Sequence, residues 1–189
     1  MTPIPSQNVS WSRMRDGTPI TVRPIQPEDV PLMVGFHASL SERSVYTRYF
    51  QAMGLDRRTA YERLMRVCFV DYDREVALVV ERKDPETGEL EILGVGRLSK
   101  HRANPDAAEV ALLIGDRFQH QGFGTTLLEK LLKVARVEGF SRITAHMLFK
   151  NRPTQRLLQK FGFNLRRDKE EGLVKAELDL REYIERQTQ

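Results

Sequence analysis

Residues 109–132, EVALLIGDRFQHQGFGTTLLEKLL, decide how the rest of the chain is read. The opening part belongs to a longer run, AAEVALLIG (107–115), apolar enough to predict a strand covered on both faces. A short loop with Gln119, Gly122 and Gly124 follows, and an amphipathic helix begins at once, over about 122–138. Leu127, Leu128, Leu131, Val134 and Ala135 share one side of it, Glu129, Lys130, Lys133 and Arg136 the other, and Gly139 closes it. A glycine-bearing turn from strand into helix makes an anion cradle. Glycine lets the backbone come close to a phosphate, and the first amides of the helix point at the charge with the dipole behind them. A dinucleotide site would read GxGxxG after the first strand, and a P-loop would need GKS or GKT. This loop reads QxxGxG after a fourth strand, so both nucleotide readings fail on spacing.

Outward from this stretch, ITVRPI (20–25) predicts a first strand, and Pro27, Glu28 and Asp29 a helix start. Helices are expected over 28–52, with a break near 39–41, and over 56–69 with Asp56 as N-cap. REVALVVER (74–82) and LEILGVGRL (90–98) read as a hairpin about the turn DPETGE (84–89). RITAHMLF (142–149) is a strand, 152–161 a short helix ending at Gly162, and 163–167 and 173–180 are strands joined across DKEEG. The expected organisation is an N-terminal tail over 1–18, one domain over 19–182 and a C-terminal tail over 183–189. The order implies an α/β domain with a mixed sheet.

Composition narrows the class. The chain has 189 residues, 40% hydrophobic and 30% charged, enough apolar surface for one domain's core. Its longest apolar runs, such as 76–80 and 110–114, fall far short of the roughly 20 residues of a membrane span. The start MTPIPSQNVSWS lacks a cationic segment followed by an apolar block, and Cys68 has no partner for a disulfide. A cytoplasmic protein without membrane partners is the expectation. Net charge is +4, but residues 97–167 hold 14 basic and 5 acidic side chains. That field attracts an anion, whether a phosphorylated cofactor, an acidic protein or nucleic acid. Basic residues interleaved with aromatics are missing, as is any recognition motif, so nucleic acid is not expected as a partner. His37, His101, His120 and His146 show no metal-ligand spacing, and no metal site is expected.

At these residues the sequence resembles the GNAT superfamily of N-acetyltransferases. QHQGFG (119–124) matches that family's acyl-CoA pyrophosphate loop, (Q/R)xxGx(G/A), and NRPTQRLLQKFGF (151–163) its Asn-led helix ending in Gly-Phe. The resemblance covers roughly 20–180. SVYTRYF (44–50), DYDREVALV (71–79) and AEVALLI (108–114) are similar to the acetyltransferase domain of bacterial protein lysine acetyltransferases. The resemblance implies a mixed, mostly antiparallel central sheet flanked by helices, and acetyl-CoA as acyl-donor substrate without a metal. It also implies an amine acceptor, a protein lysine in the first place and a small amine in the second. A non-catalytic acyl-CoA-binding regulator is the reading from a different class, and oligomeric state stays open, a homodimer included. By the same resemblance, Leu112, Leu113, Ile114, Gln119, His120, Gln121, Gly122, Phe123, Gly124, Thr125 and Asn151 bind the cofactor.

The implied chemistry is direct attack of the amine on the thioester in a ternary complex. A lysine ε-ammonium, with a pKa of about 10.4, must first lose a proton. Glu109 is the expected general base: it matches the family's glutamate and is the only acid in an apolar run, where desolvation would favour the protonated form. Many relatives carry a tyrosine seven residues after the motif asparagine; here that position is Leu158, and no general acid is assigned. Plainer readings exist for each: an ordinary loop, a Glu109 paired with Arg97 or Arg102 or simply facing solvent, an Asn151 that only caps its helix. Cys68 at helical spacing reads as core. The Arg-rich stretch 43–66 reads as a solvated helix face or, by the resemblance, as a wall of the acceptor groove.

Overall fold

The computed structural model describes residues 9–14 and 16–188. Its centre is a sheet of eight strands in the order β1-β2-β3-β4-β5-β6-β8-β7. In chain order these are β1 (Ser10–Arg13), β2 (Pro19–Pro24), β3 (Glu75–Lys83), β4 (Leu90–Lys100), β5 (Ala107–Ile114), β6 (Arg142–Leu148), β7 (Asn164–Asp168) and β8 (Leu173–Asp179). Every pairing is antiparallel except β5 with β6. Between β2 and β3 a 3-10 turn (Pro27–Asp29) leads into four short α-helices: α1 (Val30–Ser39), α2 (Glu42–Tyr49), α3 (Leu55–Thr59) and α4 (Tyr61–Cys68). The others are α5 (Phe123–Val137), α6 (Arg152–Lys160) and α7 (Leu180–Thr188).

Strand alternation gives the sheet two apolar faces. Val22, Leu78, Val80, Leu98 and Val110 share one core with Leu127, Leu128 and Leu131 of α5 and Leu158 of α6. Ala77, Val79, Val95 and Leu113 share the other with Met33, Phe36, Val45, Leu64 and Cys68 of α1, α2 and α4. Gly96 lets α5 lie close to the sheet: a Cβ there would stand 2.9 Å from Leu131 Cδ1 and 3.3 Å from Leu127 Cβ. Gly139 closes α5 with φ +78, and the Phe140 N–H reaches back to the Ala135 carbonyl. Cys68 is in the core, as expected, and burial pushes its thiol up to about 11.

Three expectations are corrected. The sheet extends back into the expected N-terminal tail, because Ser10–Arg13 pair with Pro19–Val22; residues 1–8 lie outside the described residues. The expected C-terminal tail continues a helix, α7, whose Tyr183 and Ile184 pack on the core. The single helix expected over 56–69 is two, because Ala60 takes an extended ψ of 124° between α3 and α4, and Gly54, not Asp56, precedes the first turn. No helix among the described residues is long and apolar enough to cross a membrane.

Candidate active site

Strands β5 and β6 are paired only from Ala107–Arg142 to Glu109–Thr144, although β5 runs on to Ile114 and β6 to Leu148. Beyond Glu109 they splay, and a cleft of about 510 Å³ opens between them. Half of the β5 amides and carbonyls past Glu109 therefore face the gap rather than a neighbouring strand. Glu109, Leu112, Leu113, Ile114, Gln119, His120, Gly122, Gly124, Thr125 and Asn151 all line this cleft. Two of the expected residues do not. The Phe123 side chain is buried in the core, and Gln121 turns away to donate to the Arg117 carbonyl at 3.1 Å.

At one end of the cleft is the start of α5. His120 and Gly122 both adopt left-handed backbone, at φ +60 and +93, and a Cβ at Gly122 would meet nothing within 4 Å. Thr126 is the first helical residue whose N–H returns to the loop, at Gly122 O, so the amides of Phe123, Gly124 and Thr125 have no helical acceptor. Open space before a glycine, free amides and a helix dipole fit a phosphate group. Gln119 secures the loop, with Nε2 donating to Ser44 Oγ and to the Ile114 carbonyl. Asp116 ties the loop to α2 by accepting from the Ser41 N–H and from the hydroxyls of Ser41 and Ser44. Burial pushes its carboxyl up, but these hydrogen bonds outweigh that and hold it below the usual carboxylate range. Asn151 caps α6, its Oδ1 accepting from the Thr154 N–H at 3.3 Å.

Toward the other end, Glu109 stands where the strands part. Its carboxylate lies 3.2 Å from His146 Nδ1 on β6 and retains 41% of its side-chain exposure. The expected desolvation is thus not supplied by the walls, since the splay admits water to the one acid of the run. Arg97 is not its partner: Arg97 pairs with Glu75. Leu158, at the position where relatives carry tyrosine, is 1% exposed and offers no proton. Arg48, from the 43–66 stretch read in sequence as a solvated face or a groove wall, lines the cleft, and so does His146, which was not singled out for the site. The strand alternation of RITAHMLF carried the only signal for His146, by placing Thr144 and His146 on one face.

Residues 20–164 match the family model described as the acetyltransferase (GNAT) domain. Acetyltransferase Pat of Mycolicibacterium smegmatis is 27% identical over 95% of this chain, which spans half the length of that relative. Acetyltransferase PA5475 of Pseudomonas aeruginosa is 28% identical over 83% of this chain and 81% of its own. Among solved structures, the GNAT domain of S. lividans PAT superposes with a TM-score of 0.78 at 28% identity, covering 93% of this chain and 98% of that domain. The fold is also that of Mycobacterium smegmatis RimJ in complex with CoA-disulfide, with a TM-score of 0.69 at 16% identity over 92% of this chain and 88% of that one. Since the family model runs from the second strand to the start of the seventh, across cradle and cleft alike, the chain belongs to the GNAT acetyltransferase family.

Proposed function

We propose that this acetyltransferase moves the acetyl group of acetyl-CoA directly to an amine, with the ε-amine of a protein lysine as favoured acceptor. The observation that carries the reading is the splay of β5 from β6. It joins a phosphate-fitting helix start to a strand with free backbone groups and a carboxylate at the parting point. The CoA pyrophosphate fits the amides of residues 122–125. The pantetheine arm fits alongside Leu112, Leu113 and Ile114, where it can complete the backbone hydrogen bonds that Leu112 turns to the gap. Leu113 is paired with Val95 of β4, and the Ile114 carbonyl already accepts from Gln119. Lysine as acceptor draws its support from the Pat relatives, at modest identity.

Glu109 takes a proton from the acceptor ammonium, and His146 holds its carboxylate in place. The freed amine attacks the thioester carbonyl carbon, forming the C–N bond, and backbone N–H groups facing the gap stabilise the oxyanion. The C–S bond then breaks; the attacking nitrogen sheds its second proton as the amide forms, and the departing thiolate takes up a proton through water, since Leu158 has nothing to donate.

Thermal unfolding with and without acetyl-CoA tests the donor site, with ATP and NAD as controls. Acetyl-CoA at about 100 times its dissociation constant should add roughly 2.7 kcal/mol, a rise of roughly 5–10 °C. No rise at millimolar acetyl-CoA would contradict the assignment.

A further inference from the structure

Beside the cleft, on the sheet face covered by α1, α2 and α4, lies a second cavity of about 250 Å³. The register puts Glu75, Arg97 and Ala111 of β3, β4 and β5 on this face together with Glu109. Arg48, Ala111 and Leu113 line both spaces, so the cavity adjoins the cleft. Ala111 is one pleat repeat, roughly 7 Å, along β5 from Glu109.

The walls of this cavity are out of charge balance. Arg48, Arg63 and Arg97 line it against one carboxylate, Glu75. Glu75 is taken by Arg97, whose second nitrogen donates to the Val67 carbonyl. Arg48 and Arg63 each place a guanidinium 5.0 Å from the Tyr49 ring centroid, from which neither gains a counter-charge. Arg63 also donates to the Arg58 carbonyl at 3.1 Å. Among the described residues neither Arg48 nor Arg63 forms an ion pair. His37 lines the same cavity at 1% exposure, and its Nδ1 has no hydrogen-bond partner among the described residues. Like-charged guanidiniums held together in a partly enclosed space are unfavourable until an anion joins them.

We propose that this cavity seats a carboxylate carried by the acceptor, so that the enzyme selects amines bearing an anionic group a short reach from the nucleophilic nitrogen. The inference rests on the acetyl-transfer reading and names the class of its second substrate. A carboxylate suits the planar fork of Arg48 or Arg63, which can meet both its oxygens at once. The phosphates of the donor do not compete for the cavity, because their cradle is at the start of α5, whose core lies on the opposite face of the sheet. The carboxylate could belong to a free amino acid or to an acidic residue beside an acceptor lysine.

Four acceptors separate the outcomes: free lysine against cadaverine, and a lysine peptide flanked by Glu against the same peptide flanked by Gln. Initial rates with acetyl-CoA should favour the carboxylate-bearing member of one pair by about tenfold or more in kcat/KM. The pair that shows the preference identifies the source. In Arg63→Gln the preference should collapse toward parity, with Arg63→Lys keeping part of it. In the unsubstituted enzyme, glutarate should inhibit competitively against the amine and not against acetyl-CoA, a readout independent of how the variants fold. Equal kcat/KM within both pairs would overturn the inference while leaving acetyl transfer intact. Absence of transfer to all four would overturn the reading beneath it. Calorimetric titration with glutarate then decides the cavity alone: binding that weakens in Arg63→Gln upholds it, and absence of heat refutes it.

Discussion

Burial, followed by the guanidiniums of Arg63, Arg58, Arg97 and Arg48, pushes the His37 imidazole down to about 3, so the native protein keeps it neutral. An imidazole in the unfolded chain titrates near 6.5. Between the two values the unfolded state binds the extra proton, and stability rises with pH. His37 therefore contributes fully above about pH 6.5 and loses its contribution as pH falls toward 3, by roughly 1.4 kcal/mol per pH unit. Urea denaturation at pH 7, 6 and 5 should show this loss, and His37→Phe should flatten it; an unchanged slope in the variant would contradict the account. At this scale the cradle residues were legible because they sit within a few positions of one another, where spacing alone fixes geometry. Glu109 with His146, and Arg48 with Arg63, were not. Those neighbours come from different elements, and only the pairing of β5 with β6 or the packing of α2 on α4 brings them together.

Elements are joined by a polar clamp that spacing did not reveal. Arg23 on β2 donates to both oxygens of Asp29 at 2.7 Å and to Glu81 of β3 at 2.5 Å. Asp29, 3% exposed, also accepts from the Gln26 N–H just ahead of α1. The clamp sets where α1 leaves the sheet and hence how the helical wall stands over the cleft. Arg23→Met should strand two carboxylates beside each other and destabilise the fold by about 3–5 kcal/mol, read from chemical denaturation at neutral pH. A change below about 1 kcal/mol would show that water replaces the guanidinium. Helices and long strands were legible because each carries its own period, as α5 does with Leu127, Leu128 and Leu131 buried. SWSR, which forms β1, has no apolar alternation; it is an edge strand held by its pairing with β2, and nothing in its side chains announces it.

At the scale of the molecule, one parallel pairing in an otherwise antiparallel sheet produces the site. Antiparallel neighbours can stay in register to their ends, as β4 and β5 do from Lys100–Ala108 to Gly94–Ile114. The β5–β6 pair lets go after Glu109 and leaves room for a substrate through the middle of the sheet. The α/β class and the mixed sheet were legible from the order of elements. The insertion of β8 between β6 and β7 was not, because a hairpin looks the same in sequence whichever of its strands meets the sheet. The charge excess of residues 97–167 pointed to an anion, but the cavity rich in arginine draws most of its charge from Arg48 and Arg63, outside that span. In the proposed reaction Glu109 is the group that frees the amine. The decisive measurement is kcat for Glu109→Gln beside its dissociation constant for acetyl-CoA. The account predicts a fall in kcat of about 10²–10⁴-fold with donor affinity within about twofold of the unsubstituted enzyme. Undiminished turnover in that variant would contradict it.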